Sequence, residues 1–114
     1  MALTMTTGKF HARRIATWAA ETTAGSAAIE RYAPHASLVC AAVQVSGTFG
    51  GATVVLQGSN DGITYATLKD PSGANLSFTG AGYAEFSSGA AFVKPSISGG
   101  TGDSLNIILS HWAG

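Results

Sequence analysis

Short runs of alternating apolar and polar residues make up most of this chain, and no 3.6-residue period persists beyond about ten residues. In the run LVCAAVQVS, Val39, Ala41, Val43 and Val45 share one face, with Gln44 and Ser46 on the other. In ATVVLQ, Ala52, Val54 and Leu56 oppose Thr53 and Gln57, and Val55 breaks the pattern. SLNIILSHW sets Leu105, Ile107 and Leu109 against Asn106, Ile108, Ser110 and Trp112. Period-two alternation over about four to eight residues marks half-buried strands.

Turn chemistry separates these runs. The stretches SGTFGG, SNDG, DPSG, GAG, SSG and GGTG follow one another, and 12 of the 15 glycines fall between Gly47 and Gly102. The pattern predicts strands near residues 38–46, 52–58, 63–69, 75–79, 82–87, 90–98 and 104–112, at the turn-to-turn spacing of sandwiches and barrels. In QGSNDGITYATL, Asp61 and Gly62 stand between two apolar runs and read as the tight turn of a two-stranded ribbon. Pro95 in AFVKPSIS donates no ladder bond, so that run is an edge strand or bulged, and Lys94 beside it discourages edge pairing.

The first 35 residues follow another rhythm. RRIATWAAE places Ile15, Trp18 and Ala19 at helical spacing, and SAAIERYAP reads as a short helix stopped by Pro34. KFHARR alternates and ETTAGS is loop-like, so an extended arm with strands is the favoured reading. The expected organisation is therefore an arm over residues 1–35 and a body over residues 36–114. The expected fold class is all-β: a compact antiparallel β-sandwich or β-barrel, jelly-roll-like, with an extended N-terminal arm.

Composition changes this picture in one respect. The chain has 114 residues, one domain's worth, yet only 11% are charged against about 25% in an average soluble domain. A surface so poor in charge suits contact with a partner better than a solitary life in water. Net charge is zero but uneven. Residues 1–31 hold Lys9, Arg13, Arg14 and Arg31 against Glu21 and Glu30, whereas the remainder holds Lys69 and Lys94 against Asp61, Asp70, Glu85 and Asp103. So few basic residues do not make a nucleic-acid site, which needs several phosphate contacts. Cys40 is the single cysteine and excludes an internal disulfide; its apolar setting predicts a buried, inert thiol. No apolar run is long enough to span a membrane, and MALTMTTGKFHARR lacks the apolar core of a secretory leader.

Chemistry-bearing motifs are missing. His11, His35 and His111 are scattered without metal-ligand spacing, so no metal or other cofactor is expected. No nucleophile elbow, zinc-protease helix motif or phosphate-loop motif occurs. SGGTGDS lacks the Gly-Lys-Ser/Thr ending of a phosphate cradle, and Asp103 would repel an anion, so it reads as a glycine-rich turn. The carboxylates are too dispersed for an acid/base pair, and an enzyme is not expected. Trp18, Tyr65, Tyr83 and Trp112 read first as core or sheet-packing aromatics and second as interface anchors, Trp18 and Trp112 most of all.

Over residues 43–109 the chain resembles a family of small phage virion proteins. The likeness lies in VSGTFGGATVVLQGSNDGITYATLKDPSGANLSF and in AFVKPSISGGTGDSLNIIL. The family's pattern is a Gly-rich turn, a TVxLQGSxDG hairpin, an aromatic strand, a VKPxISGG segment and a closing aliphatic strand. The resemblance is to head decoration, or cement, proteins, and excludes the first 35 residues. It implies a β-rich subunit, often a trimer, bound to the outside of a capsid lattice, with the major capsid protein as partner. It also implies a place on the virion surface after assembly in the host cytoplasm.

On this reading the expected partner contacts are Lys9, Phe10, Arg13, Arg14, Trp18 and Trp112: cations around apolar anchors. An alternative is a carbohydrate-binding jelly roll, because GSNDGITYATL is similar to the strand-turn-strand of such modules. Asn60, Asp61, Gly62 and Tyr65 would then form its ligand loop. A tail or neck component of the virion is the other alternative.

Overall fold

The structure is a computed structural model and describes residues 3–7, 13–34 and 38–112. The described residues form nine strands: β1 (Leu3–Thr7), β2 (Arg13–Glu21), β3 (Leu38–Thr48), β4 (Thr53–Ser59), β5 (Ala66–Thr67), β6 (Ser77–Phe78), β7 (Gly82–Ser88), β8 (Phe92–Ser98) and β9 (Ser104–Trp112). Residues Ser26–Ala28 make one 3-10 turn between β2 and β3. Every strand pairing is antiparallel. One sheet has the order β1-β2-β9-β3-β7; in the other, β4 pairs with β8 on one side and with β5 and β6 on the other. The two sheets form a β-sandwich.

The alternation in the sequence sets the core. Val43 and Val45 of β3, with Leu105, Ile107 and Leu109 of β9, face Val54 and Leu56 of β4 and Val93 and Ile97 of β8, all buried in one cluster. Each fully buried aliphatic side chain contributes about 1.5–3 kcal/mol relative to exposure, so these central strands supply much of the stability.

Residues 13–34 correct the expected arm. β2 lies between β1 and β9 and buries Ala16 and Trp18, so this segment is part of the sandwich. The chain then crosses to the second sheet, where Tyr32 and Val93 exchange both backbone hydrogen bonds, at 2.8 and 2.9 Å. Ile97 N donates to Ser26 Oγ at 2.9 Å. Pro95 lies between those two residues on the outward-bonding row of β8, where its missing N–H costs no ladder bond. The sequence-based placement of Pro95 on an edge strand is thus met.

Two bulges alter what the alternation predicts. In β3 the register shifts between Leu38 and Ala41, with Cys40 at φ 53°. Leu38 and Ala41 both turn inward, three residues apart, and Cys40 is exposed rather than buried. In β2 the shift falls between Trp18 and Glu21, with Ala20 at φ 55° and its N–H donating to Asn106 Oδ1 at 3.1 Å. That bulge carries Glu21 fully into the interior, where neither carboxylate oxygen has a hydrogen-bond partner among the described residues.

Candidate interaction surface

The outer face of the five-stranded sheet follows from register. Because Ala16, Ile107, Val43 and Ala84 point inward or pack against the core, their neighbours along each strand point out. One outward row runs Thr4, Thr17, Ile108, Gln44, Tyr83 across all five strands. The next runs Thr6, Ile15, Ser110, Ala42, Glu85. The two rows carry hydroxyl and aliphatic side chains with the Gln44 amide and the Tyr83 ring, and Glu85 is their single charge.

At one end of this face, Arg13 and Trp112 are direct cross-strand neighbours. The guanidinium carbon sits 5.6 Å from the centroid of the Trp112 ring, within cation–π range. Arg13 Nη2 donates to Ser110 Oγ at 2.9 Å and Nη1 to the Cys40 carbonyl at 3.3 Å. The side chain therefore lies across β9 towards β3, fixed in place and stripped of much rotamer freedom. Trp112 is 43% exposed and Tyr83 61%, the latter donating its phenol O–H to Glu85 Oε2 at 3.2 Å. Rigid aromatics and a pre-ordered arginine on a nearly uncharged sheet are the residue types that anchor protein interfaces.

Four of the six expected contact residues lie within the described residues; Lys9 and Phe10 lie outside them. Arg13 and Trp112 come together on the outer face. Arg14 does not: its Cα partners are Thr7 and His111, which places it on the opposite side of β2 from Arg13. Trp18 is a correction to its reading as a surface anchor. It is fully buried, and its Nε1–H donates to the Glu30 carbonyl at 2.8 Å. Glu85 was not singled out by sequence, and Tyr83 was named only as one of four aromatics with a second reading as interface anchors. The available signal was β9, which carries Ile108 and Trp112 on the face opposite its own core row.

The Asp61 loop has a different structure from the tight turn expected. Gln57 pairs with Thr67 and Gly58 with Ala66, so the ribbon exists, but residues 60–65 form a longer loop after β4 ends at Ser59. Asp61 Oδ1 accepts the N–H groups of Ile63 and Thr64 and the Ser59 hydroxyl, each at 2.8 Å. These donors, the Ile63 amide first, pull its pKa down to about 2. The carboxylate is thus spent on the loop itself. Gly62 has φ 75°, and its carbonyl accepts from Arg31 Nη1 at 3.2 Å while that guanidinium stacks 4.8 Å from the Phe92 ring centroid.

Asn60 Oδ1 accepts the Ala91 N–H at 3.3 Å. Tyr65 is covered by Lys94, whose Nζ is 4.7 Å from the ring centroid. A shallow groove of about 550 Å³ runs beside this loop, lined by Ser59, Asn60, Thr64, Thr67, Leu68 and Ala90 among others. Among the described residues no aromatic ring lines it, so they provide no stacking platform of the kind a sugar site uses.

The glycine-rich turn before β9 is likewise internal. Asp103 Oδ2 accepts from Thr23 N and Thr23 Oγ1, both at 2.8 Å. Burial pushes the Asp103 pKa up, and the two Thr23 bonds more than offset it, leaving the carboxyl below its ordinary range. Among the described residues no three of His, Cys, Asp and Glu gather as a metal site would require.

The fold has a solved counterpart. The crystal structure of the SPBc2 prophage-derived protein YomS is similar to this chain with a TM-score of 0.59, covering 86% of this chain and 94% of that one. Identity between the two is 15%, so the likeness is one of fold. No family model matches the chain, and no curated protein matches it in sequence.

Proposed function

We propose that this chain is a structural protein of a phage virion, and specifically a head decoration subunit that binds the major capsid protein through the outer face of its five-stranded sheet. The observation that carries this reading is the Arg13–Trp112 pair, ordered and exposed on a sheet face with almost no charge. Such a surface has little to hold water and two anchors already in place, so docking costs little side-chain entropy. The family resemblance of residues 43–109 and the fold shared with a prophage-derived protein support the phage setting. Decoration works by repetition: many weak contacts on a lattice sum to a stabilised shell. The protein does no chemistry in this account; it acts by contact alone, as a homo-oligomer.

The test is reconstitution on undecorated shells of the parent phage. Purified chain is expected to co-sediment with the shells, and Trp112→Ala combined with Tyr83→Ala to lower that binding by about tenfold or more, as loss of interface anchors does. Undiminished binding by the double variant would remove this face from the mechanism. Failure of the unaltered chain to bind any shell would remove the decoration role.

A further inference from the structure

Exposed sheet edges invite pairing, and this protein treats its edges unequally. The free side of β8 is closed by Tyr32, by Ser26 Oγ and by Pro95. β7 carries the charged Glu85 and lies opposite a bulge in β3. β1 is closed at one end only among the described residues, where the Glu30 carboxylate meets Leu3 N. Its sequence LTMTT has no charge, proline or glycine, and all five residues keep continuous register with β2.

The bonding direction of β1 is also visible. Leu3 N donates to the exposed Glu30 Oε2 at 3.2 Å, so that N–H points away from β2. In an antiparallel ladder the direction alternates, which puts the backbone groups of Met5 and Thr7 on the same free side. Met5 is 40% exposed.

We propose that β1 is a self-association edge, pairing antiparallel with β1 of a second copy about a two-fold axis at Met5. Met5 then faces Met5 of the second copy and Leu3 faces Thr7, so the free N–H and C=O groups of Met5 and Thr7 find partners, while Leu3 N exchanges the Glu30 carboxylate for the Thr7 carbonyl of the second copy. Thr4 faces Thr6 across the axis, a favourable hydroxyl pair on the outer surface. A second copy fits better than an unlike protein because LTMTT is close to symmetric about Met5, so the same edge serves both chains of an antiparallel pair. The joined sheets share one outer face, doubling the surface that holds Trp112 and Tyr83. A contact of five residues per chain falls below the area of stable dimers, so association is weak and concentration-dependent. The inference does not depend on the decoration reading, and the two fail separately.

Sedimentation of the purified chain over about micromolar to about millimolar concentration tests it. The mass is expected to rise from 11.5 kDa towards twice that value. Met5→Pro removes a free donor without touching the bonds to β2, and Met5→Lys sets like charges face to face; both variants are expected to stay single chains. Mixing Met5→Lys with Met5→Glu in equal amounts should restore the double mass, because opposite charges then meet at the axis. Amide exchange on the unaltered chain gives a reading free of folding effects: Met5 protection should increase with concentration. A single-chain mass throughout, association of Met5→Lys alone, an unrestored mixture, concentration-independent Met5 exchange, or growth to three or more chains would each overturn the proposal.

Discussion

Tyr32 and His111, 79 positions apart, meet in the interior with the phenol oxygen 2.6 Å from His111 Nε2. His111 Nδ1 lies 2.6 Å from the Trp112 carbonyl, which can only accept, so Nδ1 carries the proton and Nε2 accepts from Tyr32 O–H. The pair ties the crossing segment of residues 29–34 to the end of β9, the strand that also presents Trp112.

Breaking that bond should be felt in stability. Tyr32→Phe leaves His111 Nε2 buried and unpaired, and should cost about 1–3 kcal/mol in urea unfolding. Burial, with Arg13 and Arg14 nearby, holds the His111 pKa below its ordinary value. The neutral ring is therefore the folded form. Its contribution is fully present above the ordinary histidine pKa and is lost as pH falls through the lowered one. A loss of stability on acidification that is smaller in His111→Phe than in the unaltered chain would confirm it.

Glu21 has the opposite sign. Burial raises its pKa. An acid whose folded pKa is raised adds most to stability below the ordinary glutamate range and becomes a liability as pH rises through the raised value. Glu21→Met keeps a similar volume without the charge and is expected to stabilise the protein by about 1–3 kcal/mol at neutral pH. The gain should shrink towards pH 4, as thermal or urea unfolding at both pH values would reveal.

Asp61 sets the acid limit of its loop. With a folded pKa of about 2, below that of a free aspartate, its contribution is present above the ordinary value and is lost as pH falls towards 2. The amides of Ile63 and Thr64 should keep their NMR shifts down to about pH 3 and then move together. Asp61→Ala should move the same amides at neutral pH while leaving the core unchanged.

Gly62 is held at φ 75°, and a Cβ there would collide with Arg31 Nη1. Gly62→Ala is expected to cost about 1–2 kcal/mol from left-handed strain and to free Arg31 from the Gly62 carbonyl. Gly73 offers the comparison. Its φ is 88° but a Cβ meets nothing within 4 Å, so Gly73→Ala should carry the strain alone and cost less.

The central strands were legible because their core rows alternate without interruption: Val43 and Val45, Val54 and Leu56, Leu105 to Leu109. Pro95 was legible as an edge marker for the same local reason. β2 was not, because Ala16, Ala19 and Ala20 blur its alternation and Ile15, Trp18 and Ala19 imitate helical spacing. Its partners, β1 and β9, come from opposite ends of the chain, and no local pattern encodes that pairing. Bulges hid Cys40's exposure and Glu21's burial, since one added residue reverses the face of everything beyond it. The Arg13–Trp112 pair was named as two separate contacts; only the register of β2 on β9 makes it one surface. At the Asp61 loop, the composition of a tight turn was correct in kind, but Ser59 and the carboxylate build a wider one.

The central proposal, a virion structural protein that decorates the head, is met most directly by counting copies of this chain in purified particles of a phage whose genome carries its gene. Quantitative mass spectrometry against the major capsid protein is expected to give on the order of hundreds of copies per particle, as a lattice-covering subunit requires. About a dozen copies or fewer would place the protein in the neck or tail, and its absence from the particle would contradict the account outright.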